Sequence, residues 1–296
     1  MASKRKRTKS SKLRRSCGAM AAHMAMLESH PSFRLAQLRL EGATERARAK
    51  PSPKKWTTAK IKVIVHVVYH TAAQNISAAQ INSQISVLNR DFRATNPDRT
   101  KTPLPFKGLV ADAGITFSLE KVTRTKTTKT SFTFDEKVKK AASGGIAPIN
   151  TKKYLNIWVC PLSGGLLGYA QFPGGPASTD GVVINHQAFG TIGTVVSPFH
   201  KGRTASHEIG HFLNLRHIWG DTPGCSGSDM VADTPNCADA NVGKPTWPRI
   251  TCNNGPNGDM FMNYMDYTDD DAMFMFTSQQ VARMRVALSL QRSGLL

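Results

Sequence analysis

The residues best suited to chemistry are three histidines and a glutamate in the stretch 207–217. His207 and His211 are four positions apart, Glu208 follows the first of them, and His217 comes six positions after the second. On an α-helix, positions four apart share a face, so the two imidazoles can bind one Zn²⁺ with Glu208 beside it. The pattern predicts a zinc hydrolase. The alternative is that the histidines fell together by chance on an ordinary amphipathic helix.

A third zinc ligand requires the chain to turn sharply before His217. The helix is predicted to stop after Leu213, and Asn214 occupies the place where a left-handed residue would make the turn. Three imidazoles leave one coordination position open for a water, whose pKa the charge of the ion lowers toward neutrality. We expect Glu208 to take the proton of that water and to pass it to the leaving amine of a cleaved peptide bond.

A second motif lies downstream of the histidines, where Met265 and Tyr267 stand in a polar, turn-like stretch. The two motifs are accompanied by the segments HIWGD at 217–221, VADTP at 231–235 and MNYMDYTD at 262–269. With these motifs the chain resembles the pappalysin family of metzincin metallopeptidases, from about Lys60 to Leu290. Asn214 departs from the glycine that most metzincins have there, but both residue types reach positive φ.

The resemblance implies an α+β metzincin fold with substrate in a cleft between two subdomains. The N-terminal subdomain, about 56–217, is expected to hold a twisted mixed β-sheet and the active-site helix, and the C-terminal one, about 218–296, to be irregular and rich in loops. Residues 1–55 are predicted to be a basic leader or prosegment. The implied cofactor is one catalytic Zn²⁺, and the implied partners are protein or peptide substrates.

The resemblance also implies roles for three residues after the histidines. Met265 would pack beneath the metal, and the phenol of Tyr267 would donate to the oxyanion of the transition state. The alternative for Tyr267 is a core tyrosine that bonds backbone. In an Arg-preferring relative, an aspartate six residues past the methionine holds the arginine of the substrate, and Asp271 is the matching position. Cleavage before arginine is therefore expected, whereas the alternative is a solvated acidic loop.

A cysteine in the leader, Cys17, is a candidate inhibitor of the same site. A thiolate binds zinc well, and some pappalysin relatives carry such a cysteine in a prosegment. Cys17 would then silence a zymogen, and a basic residue such as Arg46 or Arg48 would invite self-cleavage that releases a chain starting near residue 50. The alternative is a free thiol in a tail.

The other cysteines and an acidic loop give further predictions. By analogy with the family, Cys225 pairs with Cys252, while Cys237 lacks a partner because Ala272 stands at its expected position. Cys160 is expected to be a small buried strand residue. The same analogy suggests a Ca²⁺ site in the loop after the zinc helix, although no EF-hand spacing supports it; its ligands would be Asp229, Asp233 and Thr234.

Composition limits the classes of partner. The chain of 296 residues has a net charge of +19, but residues 1–55 alone hold 15 Lys or Arg against 3 Asp or Glu. The opening of this arm, from Lys4 to Arg15, lacks aromatic residues for base stacking, so a solvated tail is expected and nucleic acid is not an expected partner. No apolar stretch is long enough to cross a bilayer, and no signal-peptide core is visible. The family resemblance nevertheless suggests secretion, and the oligomeric state stays open.

Periodicity predicts the elements that position the site. A helical leader over Gly18–Lys50 is followed by a linker at Pro51–Lys55. Ser77 can cap a helix that starts near Ala78, and a capping box at Thr277 starts the last helix. Buried strands are predicted at 61–69, 115–122, 154–160 and 181–185, with a glycine-rich connection at 164–169 between the last two.

One function from a different class competes with the peptidase. A catalytically silent, zinc-stabilised protein could bind anionic surfaces or nucleic acid through its basic arm. An intact Glu208 argues against this alternative, because a structural zinc site is usually closed by a fourth Cys or His.

Overall fold

The N-terminal part of the chain forms a pair of helices. The computed structural model describes residues 14–48 and 56–296, so the predicted arm at Lys4–Arg7 and the linker at Pro51–Lys55 lie outside the described residues. Helix α1 spans Ala19–Ser29 and helix α2 spans Pro31–Arg48. Pro31 begins the second helix, since a proline fits the first helical turn. Residues 14–48 are called the N-terminal segment below.

A five-stranded mixed sheet forms the centre of the fold. Its strands in space run β2-β1-β3-β5-β4, with the first four parallel and β4 antiparallel to β5. Four strands confirm the predictions, but β4 was not predicted and lies in the glycine-rich connection. The strands are β1 Ala59–Tyr69, β2 Ile115–Lys126, β3 Leu155–Cys160, β4 Gly168–Ala170 and β5 Val182–Asn185.

Helices pack against one face of this sheet. The capping predictions hold, because Ser77 accepts from the Gln80 amide and Thr277 forms a capping box with Gln280. Ile81, Ile209 and Met284, one from each of the three long helices of this layer, lie in a single buried core with the sheet. The helices are α3 Ala78–Asp91, the short α4 Leu104–Lys107, α5 Arg203–Phe212 and α6 Ser278–Gln291.

The region between α5 and α6 is mostly irregular, as predicted. Two short parallel strands occur there, β6 at Val242–Gly243 and β7 at Tyr267–Thr268. Cys225 and Cys252 form the expected disulfide. Cys160 and Cys237 are buried free thiols, which agrees with their predicted states. The whole is the α+β arrangement that the sequence predicted. Among the described residues, no helix is both long and apolar enough to cross a membrane.

Candidate active site

Helix α5 carries the first two histidines and ends within one residue of the predicted position. The helix stops at Phe212, and Asn214 adopts a φ of 74°, in the left-handed region. The Leu215 amide then donates to the carbonyl of Gly210 at 2.9 Å, so the chain reverses within one turn. This reversal brings His217 back to the face of the helix that carries His207 and His211.

The three imidazoles converge through the same ring atom. Their Nε2 atoms lie 3.1–3.2 Å from one another. Each opposite nitrogen has its own acceptor: His207 Nδ1 donates to the carbonyl of Tyr264 at 2.7 Å, and His211 Nδ1 donates to that of Leu215 at 2.8 Å. The third acceptor is a side chain, since His217 Nδ1 lies 2.5 Å from a carboxylate oxygen of Asp221.

This arrangement fits a metal cation. Because each Nδ1 carries its proton toward an acceptor, three Nε2 lone pairs face one another in a buried space, which is unfavourable unless a cation lies between them. Burial and the neighbouring imidazoles lower the pKa values of His207 and His211, which keeps these ligands neutral. Tetrahedral Zn–N bonds of about 2.0–2.1 Å would separate the nitrogens by roughly 3.3 Å, close to the observed spacing.

Two glycines let neighbouring elements approach the histidines and Glu208. Met265 is fully buried, and a Cβ at Gly210 would collide with its sulfur, so the methionine packs directly against α5. On the other side, a Cβ at Gly168 of β4 would lie 2.8 Å from Glu208 Cγ. The unpredicted edge strand therefore forms the wall beside Glu208.

Glu208 is buried and points toward the N-terminal segment. Its carboxylate accepts from the thiol of Cys17, with Sγ and Oε2 3.3 Å apart. Burial raises the pKa of Glu208 to about 8, although the hydrogen bond from Cys17 and the charge of Arg15 oppose the shift. A carboxyl group poised near neutrality can both accept and return a proton.

Cys17 and Tyr267 meet at the same place. The sulfur of Cys17 and one nitrogen from each histidine all lie within 4.8 Å of one another, and no other such cluster occurs in residues 14–48 and 56–296. The hydroxyl of Tyr267 lies 3.3 Å from the Cys17 amide nitrogen and 3.4 Å from its carbonyl oxygen. Cys17 also forms an isolated parallel β-bridge with Gly168 of β4. The N-terminal segment thus lies along the edge strand, over the histidines.

Arg15 enters a pocket beside this cluster. Its guanidinium lies 2.6 Å from a carboxylate oxygen of Asp270, and both side chains are almost fully buried. Arg15 also donates to the hydroxyl of Thr204 at 3.0 Å and to the carbonyl of Thr268 at 3.1 Å. The ring of Phe199 lies 5.1 Å from the guanidinium carbon. The pocket therefore presents a carboxylate at its floor and hydrogen-bond acceptors on its walls to an arginine.

Asp271, the residue predicted from the sequence, does not lie in that pocket. Its side chain is 28% exposed and is paired with Lys201 and with Lys244, the latter at 2.5 Å. These two lysines lower the pKa of Asp271 to about 2. The buried carboxylate is that of Asp270, whose Oδ2 accepts from the amides of Lys201 at 2.7 Å and Arg203 at 3.3 Å.

The residues suggested for calcium lie close to one another but serve other contacts. Asp229 accepts from the Thr234 hydroxyl at 2.7 Å, and burial raises the pKa of Asp229 to about 7. Asp233 instead accepts from the Thr277 hydroxyl at 2.6 Å and from the Gln279 amide at 2.9 Å, so it caps α6. The calcium assignment stays a prediction.

Sequence reasoning missed Asp221, Asp270 and Arg15 as parts of the site. Asp221 was visible in the HIWGD segment, where it follows His217 by four residues. Arg15 was visible too, because it lies two residues before Cys17. In an extended chain this spacing lets Cys17 reach the metal position while Arg15 reaches the neighbouring pocket. Asp270 had no comparable local signal.

Comparison with known proteins agrees with this geometry. The model of peptidase family M43, described as pregnancy-associated plasma protein-A, matches residues 146–289. An extracellular metalloprotease of Arthroderma otae is 32% identical over 241 residues, 79% of each chain. One from Pyricularia oryzae is 34% identical over 244 residues, covering 79% of this chain and 76% of the relative.

Solved structures from Tannerella forsythia are similar over most of the chain. A promirolysin mutant is 44% identical with a TM-score of 0.85, covering 95% of this chain and 96% of the other. Mature mirolysin in complex with a cleaved peptide is 48% identical with a TM-score of 0.78, covering 81% of this chain and 98% of the other. These similarities support a peptidase function for this chain over that of the catalytically silent binding protein. The chain belongs to the pappalysin family, M43, of metalloendopeptidases.

Proposed function

We propose that this chain is a zinc endopeptidase made as a zymogen, and that it cleaves peptide bonds before arginine. Residues 1–55 would be the inhibitory leader, and residues 56–296 the catalytic domain. The observation that carries the proposal is the pair of contacts made by Arg15 and Cys17, which fill the pocket and the histidine cluster at once.

The position of Cys17 supports latency. Its sulfur is near all three histidine nitrogens, where it can serve as a fourth ligand to a zinc ion held by His207, His211 and His217. A thiolate in that position would exclude water from the site. The same sulfur lies 3.3 Å from Oε2 of Glu208, so Cys17 also occupies the place beside the carboxylate that catalysis requires.

The contacts of Arg15 support the preference for arginine, with Asp270 as the recognising carboxylate in place of Asp271. A buried, charge-assisted pair is strong enough to select a guanidinium over uncharged side chains. Arg15 stands in the N-terminal segment as a substrate arginine would stand in the mature enzyme. Asp271 is held at the rim by two lysines, so we assign it no direct contact with the substrate arginine.

Catalysis would use Glu208 and Tyr267 once the N-terminal segment has left. Zinc, when bound, supplies a Lewis acid and lowers the pKa of water. Glu208 would take the proton of the attacking water at a carboxylate oxygen and return it to the nitrogen of the leaving amine. The hydroxyl of Tyr267, which here lies beside the backbone of Cys17, would donate to the carbonyl oxygen as it becomes negative.

The proposal is tested by mass spectrometry of the fragments made from a peptide library. Wild type freed of its leader is expected to cut before arginine, and a chelator should abolish the cuts. Asp270→Asn should reduce cleavage before arginine by about 100-fold, because a buried guanidinium would lose its carboxylate. The matched control is Asp271→Asn, which should change the rate by less than about threefold, as for an exposed pair.

Two results would contradict the proposal. If Asp271→Asn lost the preference for arginine and Asp270→Asn kept it, the assignment of the pocket would be wrong. If Cys17→Ser left the full-length protein as inactive as wild type, the thiol would have no part in latency. We further propose that the enzyme acts outside the cell, because the similar metalloproteases are named extracellular.

A further inference from the structure

A second attachment of the N-terminal segment lies outside the cleft. Glu41 of α2 reaches α6, where Nη1 of Arg283 donates to its Oε2 at 2.7 Å and Nη2 donates to its other oxygen. Arg216 lies 3.8 Å from the same carboxylate. The side chain of Arg283 is 1% exposed and that of Glu41 is 21% exposed, so this is a largely buried, two-point pair.

The arginine that holds Glu41 also holds the turn between the histidines. Nε of Arg283 donates to the carbonyl of Asn214 at 2.6 Å. The side chain of Asn214 is buried, and neither its nitrogen nor its oxygen has a hydrogen-bond partner in the described part of the chain. Two guanidinium groups therefore face one carboxylate, and the Asn214 side chain is among the groups that lower the pKa of that carboxylate, so the three form a donor set suited to an anion.

This site needs its occupant for electrostatic reasons. Burial alone would raise the pKa of Glu41, but the hydrogen bond and charge of Arg283 outweigh it and lower that pKa. If Glu41 left, two arginines would face each other without that carboxylate, and Arg283 would be a partly buried charge without its pair.

Helix α2 is seated by contacts of its own beside Glu41. Gln37 donates to the carbonyl of Pro173 at 2.6 Å, and a Cβ at Gly174 would lie 2.8 Å from the Cβ of Ala36. Phe33 and Leu40 are each 1% exposed. The contacts of Gln37 and Ala36 involve neither the histidine cluster nor the Asp270 pocket, so the helix has attachments apart from those of Cys17 and Arg15.

We propose that Arg216, Arg283 and Asn214 form a carboxylate-binding site on the catalytic domain, and that Glu41 in this site keeps the N-terminal segment bound after the chain is cut between residues 48 and 56. The proposal rests on the leader function proposed above. Its consequence is that one cut does not activate the enzyme. The cleft opens only when the segment dissociates or is cut again.

The test separates cutting from release. A recognition sequence for a site-specific protease is placed between residues 48 and 56 of the full chain, in a Glu208→Ala background that prevents self-cleavage. After the cut, the rate at which a fluorescently labelled segment leaves is followed on dilution. Cut protein is expected to retain the segment on gel filtration, and Glu41→Gln should speed its release about 10- to 100-fold.

The matched control lies on the same helix. Glu45 is 52% exposed and pairs only with Arg48 in the described residues, so Glu45→Gln should leave the release rate unchanged. Arg216→Gln, at the half-exposed side of the site, should speed release about threefold and guards against a folding defect in Glu41→Gln. Thermal unfolding of each uncut variant checks that it is folded.

Each outcome has one meaning. If Glu41→Gln and Glu45→Gln released the segment at the same rate, or if the wild-type segment left as fast as that of Glu41→Gln, the proposed site would be refuted. A Cys17→Ser chain with Glu208 restored tests latency separately through its activity before cutting. Active uncut Cys17→Ser together with unchanged release in Glu41→Gln would uphold the zymogen and reject this site.

Discussion

The histidine cluster and the pocket beside it are built in opposite ways. All three imidazoles come from the stretch 207–217, and their hydrogen bonds fix the rings from behind. The pocket instead joins Asp270 to Arg15, which are 255 residues apart in sequence, and its occupant belongs to the N-terminal segment, the proposed leader. The contrast suggests that the reaction chemistry is fixed within the catalytic domain while access to it is decided by what fills the pocket.

The variant with the largest expected effect removes the proposed general base and leaves the Asp270 pocket unchanged. Glu208→Ala, assayed after removal of the leader, should lower kcat by about 10³-fold, in the middle of the range for a general base and acid. Bound zinc, measured by elemental analysis, should stay the same because Glu208 is not one of the converging ligands. Loss of zinc together with activity would show that the glutamate supports the metal site.

Tyr267→Phe asks whether the tyrosine belongs to the chemistry or to the core. We expect kcat to fall about 100-fold with little change in KM, because the hydroxyl would donate only to the charged transition state. Thermal unfolding should change little, since the hydroxyl bonds only the backbone of Cys17 among the described residues. A large loss of stability with normal kcat would favour the core role.

Arg15→Ala changes access and leaves the chemistry intact. Buried Asp270 would lose its guanidinium, so the segment should bind less tightly and full-length protein should activate itself about 10-fold faster. Gel analysis over time measures this rate. Arg14 is the adjacent control because its side chain is exposed, and Arg14→Ala should activate at the wild-type rate. Equal rates for both variants would remove the pocket from latency.

Calcium should have the smallest effect and should act on neither region directly. Within residues 14–48 and 56–296, the buried carboxylate of Asp229 has only the Thr234 hydroxyl and the Val231 amide as donors, so a cation would offset the cost of burying it. At 100 times its Kd, Ca²⁺ would stabilise the fold by about 2.7 kcal/mol and raise Tm by several degrees. Asp229→Asn should abolish this increase, and an unchanged wild-type Tm would end the calcium prediction.

Features encoded within a few residues were predictable from the sequence. The zinc helix, the left-handed Asn214 and both helix caps depend on neighbours in the chain, and each was found where it was expected. Strand β4 was missed because it has three residues and begins with glycine, which gives no alternating pattern. For this reason the sequence did not predict β4, the strand that packs beside Glu208.

Features that join distant parts of the chain were not predictable. The resemblance pointed to Asp271, one position from the buried Asp270, because sequence alone does not say which of two adjacent side chains a turn directs inward. The pairing of Glu41 with Arg283 was likewise not predictable, because it links residues 242 positions apart. Neither pairing leaves a local signal.

The acceptors behind the imidazoles bear on how this site can change by mutation. Two of them are main-chain carbonyls, at Tyr264 and Leu215, which every amino acid supplies. A single codon change cannot delete either acceptor. Among the described residues, His217 is the one imidazole of the three whose Nδ1 is held by a side chain, that of Asp221. A substitution of Asp221 is therefore the one loss of an acceptor by mutation that can weaken metal binding, and it acts at the histidine that follows the helix.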